Sequence, residues 1–309
     1  MWGILQTELL SRGYSNAKIG QKLFISEGTV KKHITSILGK LCLENRVEAV
    51  LHFAASSQVG ESMANPILYY ENNLCATVAL IKGMLRHGVK KIVFSSSAAV
   101  YGEPETVPIR EESPKAPTNT YGETKLAMER FMHWCDVAYG LKYISLRYFN
   151  AAGASPGGLI GEDHTPETHL IPLVLWAAQG KREKVSIYGE DYPTPDGTCI
   201  RDYIHTSDLA EAHKLALQRL LAGGESDIFN LGSEHGLSVR EIIDTARRVT
   251  GVDFPVEVAP RRAGDPAVLV ASNRKARELL GWVPRYRDAE QILSSAWKWH
   301  LSHPNGFGE

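Results

Sequence analysis

The chain has 309 residues, of which 43% are apolar and 22% charged, a balance typical of globular proteins and unlike that of disordered or membrane-spanning chains. Its net charge of -1 hides an asymmetry, because residues 1–46 carry five Lys and two Arg against three Glu. This basic start indicates an anionic partner for the N-terminal segment, with chance scatter of charges as the alternative.

Residues 1–45 show helical periodicity and no strand pattern, and Glu8 and Arg12 interrupt their apolar stretch, so we predict no signal peptide. The segment resembles LuxR-type helix-turn-helix modules through residues 13–16, 23–33 and 44–46. The resemblance implies DNA binding through residues 13–46 with a recognition helix over residues 26–41. The residues near its start that would meet the groove or the phosphates are Thr29, Val30, Lys31, Lys32 and His33. A solvated helix face is the alternative for these side chains.

From residue 49 the pattern changes to strands alternating with helices. Predicted strands cover residues 50–54, 91–95, 143–147, 185–188 and 227–231, and predicted helices cover residues 66–87, 121–139, 208–220 and 238–249. This alternation is typical of a doubly wound α/β fold with a parallel sheet. Residues 254–266, rich in Pro and Arg, are expected to be irregular and to belong to a smaller lobe.

A serine run and a tyrosine–lysine pair form the strongest chemical pattern. Residues 95–97 are all serine at a predicted strand end, while Tyr121 and Lys125 are four apart on a predicted helix and therefore share one face. A nearby ammonium favours phenolate over phenol, so the lysine is expected to make the tyrosine a base. With a serine of the run, the pair would move a proton on and off a sugar hydroxyl. A solvated helical pair is the alternative.

From about Val50 to the C-terminus the chain resembles the UDP-glucose 4-epimerases, within the extended short-chain dehydrogenase/reductase superfamily. The matching stretches are residues 51–55, 70–73, 94–98, 121–125, 146–150, 197–203 and 261–265. The resemblance implies that Tyr121 takes the proton of the sugar 4-hydroxyl while hydride leaves C4 for NAD, and that the keto sugar takes the hydride back on its other face. It also implies that Ser97 bonds the reacting oxygen, and that Lys125 lowers the tyrosine pKa and binds the nicotinamide ribose.

The same resemblance assigns the binding residues. The expected cofactor contacts are Phe53, Ala54, Ala55, Asn72, Ser97, Tyr121, Lys125 and Phe149, with plain core positions as the alternative for the two phenylalanines. The expected nucleotide-sugar contacts are Asn150, His169, Leu170, Ser186, Ile187, Tyr188, Arg201, Arg262 and Asp265. The arginines suit a diphosphate, although a surface salt bridge between Arg262 and Asp265 is the alternative. The resemblance further implies a homodimer through residues 72–87 and 121–139.

Family members begin with a G-x-x-G-x-x-G turn that brings backbone N–H groups to the cofactor pyrophosphate, and neither it nor G-x-G-x-x-G occurs in the 309 residues. We therefore expect a truncated doubly wound, Rossmann-like sheet with a smaller C-terminal substrate lobe, preceded by the all-α segment. The expected domains are residues 1–48 and 49–309, with the substrate lobe mainly in residues 151–200 and 235–309.

Two functions follow from these patterns. The first is a UDP-glucose 4-epimerase that interconverts UDP-galactose and UDP-glucose with bound NAD, impaired by loss of the glycine-rich turn. The alternative is a LuxR-type transcriptional regulator carrying an inactive epimerase-like body. A nucleotide-sugar dehydratase or reductase is disfavoured by residues 197–202 and 261–265. The widely spaced cysteines (Cys42, Cys75, Cys135 and Cys199) predict no metal site, and the absence of a long apolar run predicts a cytoplasmic protein without membrane contact.

Overall fold

The computed structural model describes residues 47–262 and 265–307 and divides into two compact units. Within that part of the chain, the first unit comprises residues 47–100, 119–146 and 213–228, and the second comprises residues 101–118, 147–212, 229–262 and 265–307. The predicted helix-turn-helix, with Thr29, Val30, Lys31, Lys32 and His33, lies outside the described residues.

The strands are β1 (Val50–His52), β2 (Lys91–Ser97), β3 (Lys142–Tyr148), β4 (Asn150–Ala152), β5 (Val185–Tyr188), β6 (Ile200–His205), β7 (Asp227–Leu231), β8 (Gly236–Ser238), β9 (Val256–Ala259) and β10 (Val268–Leu269). The α-helices are α1 (Val59–Ala64), α2 (Pro66–Tyr69), α3 (Ala76–Arg86), α4 (Thr120–Tyr139), α5 (Leu170–Ala178), α6 (Thr206–Leu221), α7 (Val239–Thr250), α8 (Arg274–Leu280) and α9 (Ala289–Ser302). A π-helix at Tyr70–Cys75 joins α2 to α3, and a 3₁₀ turn at Ala98–Val100 follows β2.

A four-stranded sheet has the order β1-β2-β3-β7, and β1, β2 and most of β3 belong to the first unit. Strands β1 and β2 run parallel, with His52 opposite Phe94. The central strands β2 and β3 are buried along almost their whole length, as a sheet covered on both faces requires. The core of this unit packs Ile92 and Phe94 of β2 against Met128 and Met132 of α4.

Helix α4 carries the tyrosine–lysine pair, and its start is fixed locally. The Asn119 side chain caps it by accepting from the backbone N–H of Gly122 over 2.8 Å, and Gly140 ends it at φ 65°. Gly122 packs closely on the 3₁₀ turn: a Cβ there would lie 2.4 Å from the carbonyl oxygen of Ala99. The absence of a side chain at Gly122 therefore lets the first turn of α4 approach the end of β2.

The second unit has a β10-β6-β4 sheet, with β8 also paired to β6, and a separate parallel pair β5-β9. Helices α5, α7 and α9 cover its main core, which includes Leu175, Ile243 and Leu293. Helix α7 begins with a complete capping box between Ser238 and Glu241 and ends at Gly251.

The strands and helices predicted from residue 49 onwards are confirmed within a few residues, and β5 and β7 match to the residue. The stretch 254–266 differs from its prediction, because Val256–Ala259 forms β9 on β5. Among the described residues, no helix is both long enough and apolar enough to cross a membrane. Three cysteines in that part of the chain, Cys75, Cys135 and Cys199, are free thiols.

Candidate active site

The carboxyl ends of β1 and β2 lie at the same edge of the first unit's sheet, because the two strands are parallel and in register. Phe53, Ala54 and Ala55 leave β1 at this edge, and Ser97 ends β2 there. Doubly wound sheets bind their ligands at this edge. The structure thus brings together one predicted catalytic residue and three predicted cofactor contacts.

Tyr121 lies in the first turn of α4, and its phenol forms a hydrogen bond with the Ser97 hydroxyl. The backbone N–H of Ala99 donates to the same Ser97 Oγ over 3.1 Å, which fixes the serine side chain. The backbone N–H of Tyr121 donates to Ser62 Oγ of α1, also over 3.1 Å. The tyrosine is therefore held at its backbone by α1 and at its phenol by the end of β2.

Lys125 lies one turn further along α4 and is 3% exposed. Its Nζ donates to the backbone carbonyl of Ser95 over 2.8 Å and lies 5.7 Å from the centroid of the Tyr121 ring. The Ser96 hydroxyl donates to Glu129 Oε1 over 2.6 Å, which holds a buried carboxylate one turn beyond the lysine. The serine run therefore positions the side chains of Lys125 and Glu129, which follow Tyr121 on α4.

The electrostatics of the pair depend on burial, which spacing alone does not reveal. Burial raises the pKa of Tyr121, and the hydrogen bond from Ser97 only partly opposes it. Burial also lowers the pKa of Lys125 to about 7, against the attraction of Glu129. The tyrosine pKa is therefore raised here by burial, which disfavours the phenolate, and the lowering expected from the lysine stays a prediction.

Asn73, in the π-helix, ties the segment after β1 to α4. It is fully buried; its Oδ1 accepts from the backbone N–H of Ser56 over 2.7 Å, and its Nδ2 donates to Ser56 O and Thr124 Oγ1. The neighbouring Asn72, a predicted cofactor contact, is exposed and donates to Ser56 Oγ over 3.3 Å. Asn73 therefore supports the site, although the matching stretch at residues 70–73 assigned no role to it.

His52 of β1 is buried behind this edge. Its Nε2 lies 2.8 Å from Thr77 Oγ1, and that hydroxyl donates its own proton to the Asn73 carbonyl over 2.7 Å. The imidazole must therefore be the donor at Nε2. Burial, helped by the charge of Lys125, lowers the His52 pKa to about 4, so the ring is neutral at physiological pH.

The residues at this edge fit a ligand rich in hydroxyl groups, such as the ribose of a dinucleotide. The buried Ser95 hydroxyl has no hydrogen-bond partner in the described part of the chain. Lys125 has three donors, one of which is used by the Ser95 carbonyl. Phe53, 42% exposed and 4.6 Å from the His213 ring between centroids, offers an aromatic surface rather than the plain core position considered from sequence.

The second unit contains a cavity of about 230 Å³. Eight of the nine predicted nucleotide-sugar contacts line it: Asn150, His169, Leu170, Ser186, Tyr188, Arg201, Arg262 and Asp265. The ninth, Ile187, does not, because alternate side chains of β5 point to opposite faces and Ile187 is buried in the core. Ile187 therefore stays a predicted contact through its backbone alone. Phe149 is half-buried at the junction of β3 and β4, in the same unit.

Arginines give the cavity its charge. Arg262 stacks its guanidinium 3.9 Å from the centroid of the Tyr188 ring, and Asp265 pairs with Arg201, so the alternative of an Arg262–Asp265 salt bridge is wrong. Arg182 also lines the cavity, and the sequence motifs did not include it. Three arginines against one aspartate leave excess positive charge, which suits a diphosphate. The only sign of this role in the sequence was the positive charge of Arg182 itself, shortly before β5.

Comparisons with known proteins point to one family. The sequence profile of the NAD dependent epimerase/dehydratase family matches residues 10–232, a stretch that begins inside the segment predicted to be a helix-turn-helix. The UDP-glucose 4-epimerase of Halalkalibacterium halodurans is 57% identical over 271 residues, covering 88% of this chain and 81% of the relative.

Solved structures give the same result. A crystal structure of a UDP-glucose 4-epimerase, 55% identical, superposes with a TM-score of 0.84 and covers 89% of this chain and 83% of its own. The UDP-glucose 4-epimerase of Bifidobacterium longum, solved in complex with NAD+ and UDP, is 37% identical with a TM-score of 0.81 and covers 98% of this chain and 96% of its own.

Proposed function

The chain belongs to the NAD dependent epimerase/dehydratase family, and we propose that it interconverts UDP-glucose and UDP-galactose. It is an epimerase that uses NAD as its cofactor. The observation that carries the proposed substrate chemistry is the Tyr121–Ser97 hydrogen bond, with Lys125 buried one turn away at the end of β2. Relatives at 55–57% identity that are UDP-glucose 4-epimerases support the choice of reaction.

Proton transfer in this proposal belongs to Tyr121. Its phenolic oxygen takes the proton of the sugar 4-hydroxyl and later returns it to the same oxygen, while Ser97 holds that oxygen in place. Lys125 binds ribose hydroxyls with its remaining donors and adds positive charge beside the tyrosine. When bound, NAD would supply the acceptor and donor of hydride at the sugar carbon, and its oxidised form would add a positive charge that favours the phenolate.

The nucleotide part of the substrate is proposed to bind in the cavity of the second unit. Arg201 and Arg262 donate forked hydrogen bonds to the diphosphate, and Asp265 holds Arg201 in position. The Tyr188 ring stacks against the Arg262 guanidinium and so helps to hold it in position. Ser186 is committed to Glu257 Oε1, to which it donates over 3.0 Å, so we expect it to contribute shape rather than a direct bond.

The test compares Tyr121→Phe with Tyr139→Phe, an exposed tyrosine at the other end of the same helix. In the presence of added NAD, conversion of UDP-galactose by Tyr121→Phe is expected to fall by about 10²- to 10⁴-fold, with affinities for NAD and UDP equal to those of the wild-type protein. Tyr139→Phe is expected to match the wild-type protein. Turnover of Tyr121→Phe at the wild-type rate would exclude the tyrosine as the base.

Three finer predictions from the sequence remain proposals. We infer weak NAD retention from the missing glycine-rich turn, and the NAD content of the purified protein tests it. DNA binding through residues 13–46 has no support from the family match, which covers the whole of that segment. Binding of a DNA duplex with a steep salt dependence would support it. The homodimer is tested by sedimentation of the intact chain.

A further inference from the structure

Four side chains of the segment between β4 and α5 converge on one point in the second unit. Glu162, His164, Glu167 and His169 each offer one ligand atom, and these atoms lie within 4.8 Å of one another. The Glu167 side chain is 1% exposed and that of Glu162 16% exposed, while both histidines are about half exposed. The cluster therefore has a buried acidic floor and two imidazoles that cover it.

Both imidazoles turn Nδ1 inward. His164 Nδ1 lies 3.2 Å from Glu162 Oε1 and 3.3 Å from Glu167 Oε2, and His169 Nδ1 lies 3.1 Å from Glu162 Oε1 and 2.9 Å from Glu167 Oε1. A ring nitrogen carries at most one proton, which can point at one oxygen only. Each histidine Nδ1 can therefore form a linear hydrogen bond with only one of the two carboxylates near it. Hydrogen bonding alone does not explain the close approach of the second carboxylate.

A tetrahedral cation is compatible with these short distances. Metal–ligand bonds of 2.0–2.1 Å place neighbouring ligand atoms of a tetrahedron about 3.3 Å apart, and the four nitrogen–oxygen distances here are 2.9–3.3 Å, although they involve both carboxylate oxygens of Glu167, of which the ion would take one. Two neutral imidazoles and two carboxylates also balance the charge of a divalent ion. A mixed nitrogen and oxygen set suits zinc, whereas magnesium and calcium prefer oxygen alone.

The surrounding contacts hold the cluster in this arrangement. Glu167 Oε1 accepts from the backbone N–H groups of Thr168 and His169, over 2.7 and 2.8 Å. The indole Nε1 of Trp299 donates to the Glu162 carbonyl over 3.3 Å, which joins the segment to α9. These contacts orient two of the four ligands before any ion binds, as partners of metal ligands do in known sites.

We propose that Glu162, His164, Glu167 and His169 form a tetrahedral site for Zn²⁺. His169 is also the N-cap of α5 and lines the cavity described above, so the ion fixes one wall of that cavity. In this role His169 is a metal ligand and a positioning residue rather than a direct contact of the nucleotide sugar. The proposal does not depend on which sugar the enzyme converts.

The test uses the intact 309-residue protein, stripped with a chelator and titrated with Zn²⁺ against a chromophoric competitor. One ion per chain is expected to bind, and His164→Ala and Glu167→Gln are expected to weaken binding by about tenfold or more. His164 is 46% exposed, so its replacement does not threaten the fold, and His87→Ala, another exposed histidine, is the matched control. Zn²⁺ is expected to raise the melting temperature of the wild-type and His87→Ala proteins, but not that of His164→Ala.

Cobalt(II) gives a second readout, because a tetrahedral site produces intense visible absorption that octahedral sites lack. That absorption is expected with the wild-type protein and lost with His164→Ala. Equal Zn²⁺ affinity in the wild-type protein and His164→Ala, or no binding at all, would overturn the proposal. The cluster would then be two protonated histidines neutralised by two glutamates. Because these metal-binding measurements contain no nucleotide sugar, this outcome leaves the epimerase proposal unaffected.

Discussion

Replacing His52 by Gln tests whether the edge of the sheet excludes water as the structure indicates. The glutamine amide places a donor where the imidazole Nε2 now bonds Thr77, so the hydrogen bond is kept while the titration is removed. The His52 pKa is about 4 in the folded protein against an ordinary 6.5. The unfolded chain therefore takes up the proton first as pH falls, and folding loses stability between these two values.

The size of the effect follows from the separation of the two pKa values. With these values, the wild-type protein loses about 2 kcal/mol through His52 between roughly pH 7.5 and pH 5, out of a total of about 3 kcal/mol at lower pH. The Gln variant lacks this contribution, so its free energy of unfolding is expected to fall by about 2 kcal/mol less over the same range.

The measurement is urea unfolding of both proteins at the two pH values, followed by circular dichroism. His87→Gln, at an exposed position after α3, serves as the control and is expected to retain the full wild-type pH dependence. Equal losses in wild-type and His52→Gln proteins would refute the reasoning. So would an imidazole of His52 that titrates near 6.5 by NMR in the folded protein.

Two further predictions concern helix positions of the first unit. Gly122→Ala places a Cβ 2.4 Å from the Ala99 carbonyl oxygen, so we expect a loss of about 1–3 kcal/mol in the free energy of unfolding. The control Gly60→Ala, whose Cβ would have nothing within 4 Å, is expected to be neutral or slightly stabilising. Equal melting temperatures for the two variants would contradict this expectation. Glu129→Gln removes the carboxylate that supports the charge of Lys125, whose pKa is already lowered to about 7. In the pH profile of kcat/KM, the alkaline limb is expected to move to lower pH. An unchanged alkaline limb would show that the charge of Lys125 does not contribute to catalysis.

The elements that local patterns encode could be predicted, and those that depend on distant partners could not. Helix α4 has its own cap and a glycine stop, and β5 has a short apolar run, so both were visible in the sequence. Strand β9 was missed because it is only four residues long between Pro255 and Pro260, and because it gains its pairing from β5, about 70 residues earlier in the chain.

The same distinction applies to the site. The motifs identified Ser97, Tyr121 and Lys125, which the structure brings together. The effect of burial on the Tyr121 pKa was missed because burial depends on packing that spacing does not reveal. The cluster in residues 162–169 was present in the sequence as alternating Glu and His positions, but cysteine spacing was the only metal signal considered.

The π-helix at Tyr70–Cys75 has a consequence for sequence alignment and for engineering. A π-turn contains one residue more than the α-turn it replaces, and one residue of an α-helix corresponds to a rotation of about 100°. Deleting a single residue here would turn the preceding segment relative to α3 and withdraw Asn73 from Ser56 and Thr124. Alignments of relatives should therefore allow a one-residue gap only where these partners also change, and this stretch of the chain is a poor choice for deletion scanning.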